Sequence, residues 1–280
     1  MRTNTIHPTP RSRRLAGFTI VELLVVIAII ALLVGITVPT VSAVKNVAKA
    51  GATKALLHSI GTGLDMFKIE SKLGRTYPPS RWDTMGDGDP YGNGMGNYVA
   101  QGAQTLVWGL AGADLLGTPG FQINPTGGTY LNRDTGGLYQ LDNGRPVKAR
   151  FGPYMDLSKT KLKTPPELDR PVSGTGDFDK APVIADNFGL AVLYYAPDPT
   201  YSDTRMFHWT HNSQFMDSSD TLANDTKLGW YVLDHRAKDL TGINVPQNRD
   251  SYLLITAGPD GQYGTRDDVT NFDPSAQTLP

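Results

Sequence analysis

The hydrophobic pattern opens on one unbroken apolar run. From Leu15 to Val44 the only ionisable side chain is Glu22, and Phe18 to Val38 is mostly Leu, Ile, Val and Ala. A helix of ~20 such residues crosses a hydrocarbon core of ~30 Å. Beyond this run, Val44, Ala48, Ala52, Ala55, Ile60, Leu64 and Phe67 recur at steps of three to five residues, which outlines one helical face. Lys45, Lys49, Lys54 and Lys68 fall on other faces. No linker separates the two stretches. The pattern therefore predicts one long helix from Phe18 to Ile69, roughly 80 Å at ~1.5 Å per residue, loosened at Gly35 and Pro39.

After Gly74 the periodicity breaks into glycine- and proline-rich sequence, which reads as turn and loop. Within it, Thr105 to Leu116 predicts a short helix. Leu190–Tyr195, Gly229–Leu233 and Tyr252–Thr256 predict strands. These strands can form a small antiparallel sheet against the second half of the long helix, an α+β arrangement. Thirty glycines and twenty prolines in 280 residues argue against a helical bundle. A net charge of −1 gives no sign of a nucleic-acid partner. The absence of cysteine excludes disulfides, thiolate metal sites and cysteine catalysis.

The flank of the apolar run carries more information. Arg2, Arg11, Arg13 and Arg14 precede it with no acid among them, which would hold that end in the cytoplasm. A plain signal anchor, a cleaved signal peptide with Val41-Ser42-Ala43 as the cut, and a buried core helix all compete for the segment. None accounts for Glu22, because an unpaired carboxylate at membrane depth costs about 2–3 kcal/mol or more. Arg13-Arg14-Leu15-Ala16-Gly17 followed by Phe18-Thr19-Ile20-Val21-Glu22-Leu23-Leu24 resembles the prepilin signature of type IV pilins and type II secretion pseudopilins. The resemblance implies a peptidase cut between Gly17 and Phe18, with methylation of the new amine at Phe18. Glu22 then becomes the fifth mature residue and Pro39 the twenty-second, where pilin helices commonly carry a proline. In that family the glutamate pairs with a neighbouring subunit's N-terminal amine during assembly. The alternative for Glu22 is that its carboxylate snorkels to the cytoplasmic headgroups.

The other chemical stretch runs from Ile255 to Phe272. Asp260, Asp267 and Asp268 lie there among Gly258, Gly261 and Gly264. Hard oxygen ligands on tight turns suit Ca²⁺, and they suit an ordinary turn equally well. The stretch resembles the calcium loop that ends the major pseudopilin of type II secretion. That resemblance implies side-chain ligation by Asp260, Asp267 and Asp268, with carbonyls near Ala257 and Gln262. Tyr77-Pro78 and Gly152-Pro153-Tyr154 resemble further pieces of that family. So does Asp186-Asn187-Phe188-Gly189 before Tyr194-Tyr195, although Asn187 and Phe188 replace a proline and a tryptophan. The chain is longer than such pseudopilins, with its surplus in 82–150, 155–185 and 198–227.

Nothing marks an enzyme. There is no Gly-x-Ser-x-Gly elbow and no phosphate-binding loop. His208 and His211 have a spacing that can bind metal, but an aromatic setting favours packing. Asp83, Asp87 and Asp89 read as solvated loop before a second cation site. Together the residues predict a pilin-like α+β protein with large loop insertions. The expected parts are a leader (1–17), a long helix (18–70, membrane-spanning over 18–38) and a periplasmic globular domain (71–280) ending in a calcium loop (255–272). The resemblance implies a structural subunit of a type II secretion pseudopilus in the inner membrane, and no enzyme. Its expected partners are prepilin peptidase, copies of itself, membrane lipid before assembly and the inner-membrane secretion platform. A type IV pilus subunit, or an anchored or secreted binding or hydrolytic domain behind a borrowed N-terminus, are the alternatives.

Overall fold

The computed structural model describes residues 17–70, 76–80, 84–85, 98–112, 115–118, 121–123, 129–131, 141–142, 145–146, 150–172, 179, 181–198, 201–217, 219–222 and 224–274. The chain divides into two units, 1–47 and 48–280. Helix α1 (Ile20–Glu70) runs through both and continues unbroken past Pro39.

In the first unit every described residue is exposed, and the helix is long and apolar enough to cross a membrane. Its few polar side chains turn back on its own backbone. Thr37 Oγ1 donates to the Leu33 carbonyl (2.6 Å) and Thr40 Oγ1 to that of Ile36 (2.8 Å). Such internal bonds are what a hydroxyl needs where no water is at hand.

In the second unit α1 buries Thr53, Leu57, Ile60, Leu64 and Phe67, an alternation of four- and three-residue steps on one face. The expected face was wider. Val44, Ala48, Ala52 and Ala55 are exposed, because packing begins at Thr53. The Thr53 hydroxyl accepts from both the backbone N and the side-chain Nδ2 of Asn187 (3.3 Å each). A proline at 187 would have no N–H to give, so the departure at Asn187 has a local physical use.

Helix α2 (Gly102–Ala111) is buried along its whole length. The Gln104 side chain folds back to accept from the Gln101 N–H (3.0 Å) at its start. The expected boundaries, Thr105 to Leu116, were too late at both ends. The N-terminal signal is a glutamine, outside the usual Ser, Thr, Asp and Asn. Gly112 (φ +80°) ends the helix four residues before Leu116.

Among the described residues the strands form five small antiparallel sheets. Two-stranded ladders join β1 (Thr84–Met85) to β2 (Tyr98–Val99), β3 (Phe121–Ile123) to β4 (Thr129–Leu131), β5 (Leu141–Asp142) to β6 (Arg145–Pro146), and β7 (Leu162–Lys163) to β8 (Val183–Ile184). The central sheet has the order β11 (Val269–Thr270), β10 (Leu253–Thr256), β9 (Leu193–Tyr195). Its register sets Leu254 opposite Tyr194, and Leu253 and Ile255 opposite Tyr195 and Leu193.

Pleating sends these residues to two cores. Tyr194 and Leu254 join Leu57, Ile60, Leu64, Phe67 and Trp108 beside α1 and α2. Leu193, Tyr195, Leu253 and Ile255 join Phe207, Phe215, Leu222, Leu228 and Tyr263 on the other face. A sheet covered on both sides reads as a continuous apolar run. Three of the residues covering the second face, Phe207, Phe215 and Leu222, lie in the surplus segment 198–227. Asn212, fully buried in that segment, ties the layers together. Its Oδ1 accepts from Ala103 N at the start of α2 and its Nδ2 donates to the Tyr194 carbonyl, both at 2.8 Å.

Leu190–Tyr195 and Tyr252–Thr256 do contain strands, β9 and β10. Gly229–Leu233 does not. It falls on helix α3 (Asp225–Tyr231) and the turn after it, followed by helix α4 (His235–Thr241). Asn224 caps α3 by accepting from Lys227 N (2.9 Å). Buried Leu228, Tyr231 and Val232 have the i, i+3, i+4 spacing of a helical face. Aromatic and β-branched content alone pointed to a strand.

Candidate functional site

At the N-terminal end, Gly17 has open space around it and Phe18 is 75% exposed. Thr19 and Glu22 form a reciprocal cap at the start of α1. The Glu22 carboxylate accepts from the Thr19 N–H and hydroxyl (2.8 Å each), and Glu22 N donates to Thr19 Oγ1 (3.2 Å). The carboxylate is thereby turned back toward the first helical turn, one residue from the Phe18 nitrogen. The capping role was not foreseen from the sequence. Its signal, Thr-x-x-Glu ahead of an apolar run, was there to be found.

The second candidate is the loop from β10 to β11. Gly258 (φ +59°) and Gly264 (φ +90°) adopt left-handed conformations. At these two positions a Cβ would collide with the Asp267 carbonyl and the Thr221 hydroxyl. Three oxygens converge on the Thr265 hydroxyl: Asp267 Oδ1 (2.5 Å), Asp268 Oδ1 (3.2 Å) and the Gln262 carbonyl (3.4 Å). One hydroxyl carries one proton, so this cluster holds more acceptor than the hydroxyl can satisfy.

Asp268 also accepts from Tyr231 Oη (2.7 Å) and Gly264 N (2.8 Å). Burial outweighs these donors and pushes its carboxyl up to about 7. Asp267 Oδ2 accepts from Asp260 N (3.0 Å), while exposed Asp260 turns its own Oδ1 to Gln262 N (2.8 Å). Ala257 is buried at the head of the loop. The structure thus brings Gln262, Asp267 and Asp268 together around one point, and Asp260 stands beside them through its backbone. Among the described residues no three Asp, Glu or His side chains gather as a metal cluster. Any cation here would rest on two carboxylates plus neutral oxygens, a donor set suited to Ca²⁺.

Residues that sequence patterns did not single out hold this loop. Arg170 Nη1 donates to the Gly261 carbonyl (3.1 Å) and Nη2 to that of Phe215 (2.9 Å). Its guanidinium lies 5.1 Å from the Tyr263 ring centroid and pairs with buried Asp220 at 3.0 Å. Asp220 Oδ1 accepts from Tyr263 N (2.8 Å), and Thr221 Oγ1 donates to the Gly264 carbonyl (2.6 Å). Arg170, Asp220 and Thr221 all belong to the surplus segments.

The histidines are held by packing partners. His211 Nδ1 and Ser80 Oγ meet at 3.0 Å, both buried, and Ala196 N donates to the same Ser80 oxygen (2.7 Å). His208 lies 3.9 Å from Asp225. The Asp83, Asp87 and Asp89 run lies outside the described residues, as does the leader up to Ala16.

Residues 12–38 match the prokaryotic N-terminal methylation motif. No curated protein and no solved structure matches the chain. The methylation motif is the signature of a type IV prepilin-like precursor. It starts within the leader and covers most of the apolar half of α1, so the chemistry it marks belongs to this end of the molecule. It implies processing by prepilin peptidase and assembly into pilus-like filaments, and it suggests a structural subunit rather than an enzyme. Motif and apolar helix together are consistent with an inner-membrane-anchored protein.

Proposed function

We propose that this chain is the precursor of a pseudopilus subunit of a type II secretion system. The observation that carries the reading is the methylation motif opening directly into an exposed apolar helix, which a protein-lined or lipid environment must cover. Prepilin peptidase cuts between Gly17 and Phe18 and methylates Phe18. Glu22 pairs with the amine of a neighbouring copy, and Pro39 supplies the loosening that lets α1 adapt to its neighbours. The partners are further copies of the chain, lipid before assembly, and the inner-membrane secretion platform. The globular unit stands in the periplasm. The resemblance of the 255–272 loop to the major pseudopilin's calcium loop favours secretion over other filament roles. The test is the mass of the N-terminal peptide from native membranes. Methylated Phe18 as the first residue supports the filament precursor, and an intact Met1 or a start near Val44 removes it.

The same reading assigns Ca²⁺ to the C-terminal loop, held by Asp267, Asp268 and the Gln262 carbonyl, with Asp260 and the Ala257 carbonyl completing the shell. The ion would offset the carboxylates' mutual repulsion and fasten the turn before β11. A ligand that binds only the folded state stabilises it by ~2.7 kcal/mol at a hundredfold excess over Kd. Chelator is therefore expected to lower the melting temperature of the detergent-solubilised chain, and Asp268→Ala to abolish that sensitivity. An unchanged melt in chelator removes the ion from the proposal.

A further inference from the structure

A groove of about 680 Å³ opens beside α3 and α4; it shares Thr221 with the brace of the C-terminal loop and otherwise lies apart from that loop's candidate ligands. Ligand pockets commonly hold ~300–1,000 Å³. Gly229 lets α3 close against Thr204, since a Cβ there would meet the threonine Oγ1 at 3.1 Å, and this contact sets one wall.

The charges in the groove are arranged in an unusual way. Lys238 lies over the Trp230 ring, 4.9 Å from its centroid, and Arg205 over Tyr201 at 5.3 Å. Arg205 is already neutralised by Asp203 (2.9 Å). Among the described residues neither Lys227 nor Lys238 has a carboxylate partner. Cations fixed on aromatic faces keep their charge at the wall with little freedom left to lose on binding. Lys227 belongs to α3 and Lys238 to α4; the one carboxylate among the lining residues, Asp225, accepts from Trp209 N (2.9 Å) and lies 3.9 Å from His208, which leaves both lysines uncompensated. Thr226, Asn244, Tyr201 and Trp230 line the groove with these cations.

We propose that this groove binds an acidic oligosaccharide, with Lys227 and Lys238 taking its carboxylates. Separated cations match anionic groups repeated along a chain better than a single phosphate. Hydroxyl, amide and aromatic side chains suit a sugar, which presents both hydroxyls and apolar C–H faces. The site is independent of filament assembly, so either reading can fail alone.

The test is calorimetric titration of the full chain in detergent with trigalacturonate, set against neutral cellotriose, inorganic phosphate and a short oligothymidylate. Saturable binding is expected for trigalacturonate only. Each charged hydrogen bond is worth ~1.5–3 kcal/mol, so Lys227→Gln and Lys238→Gln should each weaken binding about tenfold or more. Lys227 is exposed and Lys238 half-buried, and the melting temperature of each variant is expected to stay at the parent value. No saturable trigalacturonate binding, equal binding of cellotriose, tighter binding of phosphate or oligothymidylate, or a double variant that binds like the parent would each overturn the proposal.

Discussion

Glu22→Ala subunits are expected to insert, to be cleaved and to be methylated, but to give a collapsed yield of filament. The proposed pairing makes this the largest functional effect in the chain. A carboxylate in an apolar setting without a partner costs about 2–3 kcal/mol, and each 1.4 kcal/mol is about tenfold in an association constant. Losing that differential from every subunit contact leaves a polymer with little advantage over dispersed subunits.

The capping geometry supplies a control. Glu22 accepts from the Thr19 N–H and hydroxyl, and glutamine can accept the same bonds through Oε1. Glu22→Gln keeps the start of α1 and removes the charge. Assembly that fails in both variants belongs to the charge. Assembly restored in Glu22→Gln belongs to the cap, and the pairing idea is then wrong. Sheared filament recovered per cell, normalised to methylated subunit in the membrane, is the measurement.

Asp220→Ala is expected to destabilise the globular unit by about 3 kcal/mol, which shifts the melting temperature by roughly 6–12 °C for a unit of this size. Asp220 is almost wholly buried and serves Arg170, Tyr263 N and Asp217 N at once. Removing it strands a guanidinium and two backbone donors. Breaking a buried pair from one side costs ~3–5 kcal/mol. The lower end applies because Arg170 is 24% exposed and keeps Asp217 at 3.5 Å. Arg170→Met with Asp220→Ala should lose less than the sum of the single changes. Amide exchange at Tyr263 should quicken in the Asp220 variant first, since its N–H donates to the Asp220 carboxylate (2.8 Å). A midpoint within 2 °C of the parent would contradict the assignment of Asp220 as the brace of this loop; that threshold is roughly 1 kcal/mol at this size.

Some of the architecture was legible because local rules and global fold agree. The long helix follows from an apolar run merging into a periodic one, and it is observed at Ile20–Glu70. Strands β9 and β10 follow from short apolar runs between turns. The C-terminal loop was visible in its glycines and aspartates, and the structure sets Gln262, Asp267 and Asp268 around the Thr265 hydroxyl. Legibility failed where one pattern serves two structures. The residues around Leu228 to Val232 suit either a strand or one face of a helix, and the cap at Asn224 decided. It failed again at Thr53 and Asn212, polar residues that become core only because each finds a partner more than 15 positions away.

The sequence by itself determined the membrane-compatible helix, its orientation signal and the methylation motif, because these depend on order and spacing within about 30 residues. It also determined the loop-rich, cysteine-free character of the rest. Only the tertiary structure decided what the surplus segments do. Arg170, Asp220, Thr221 and Phe215 come from two such segments, and they meet Tyr263 and Gly261 only after folding has closed long loops. Such contacts leave no periodicity to read, since each is paid for by burial in three dimensions and not by a repeat along the chain. The same holds for the groove, where Gly229 of α3 closes on Thr204 from an earlier segment.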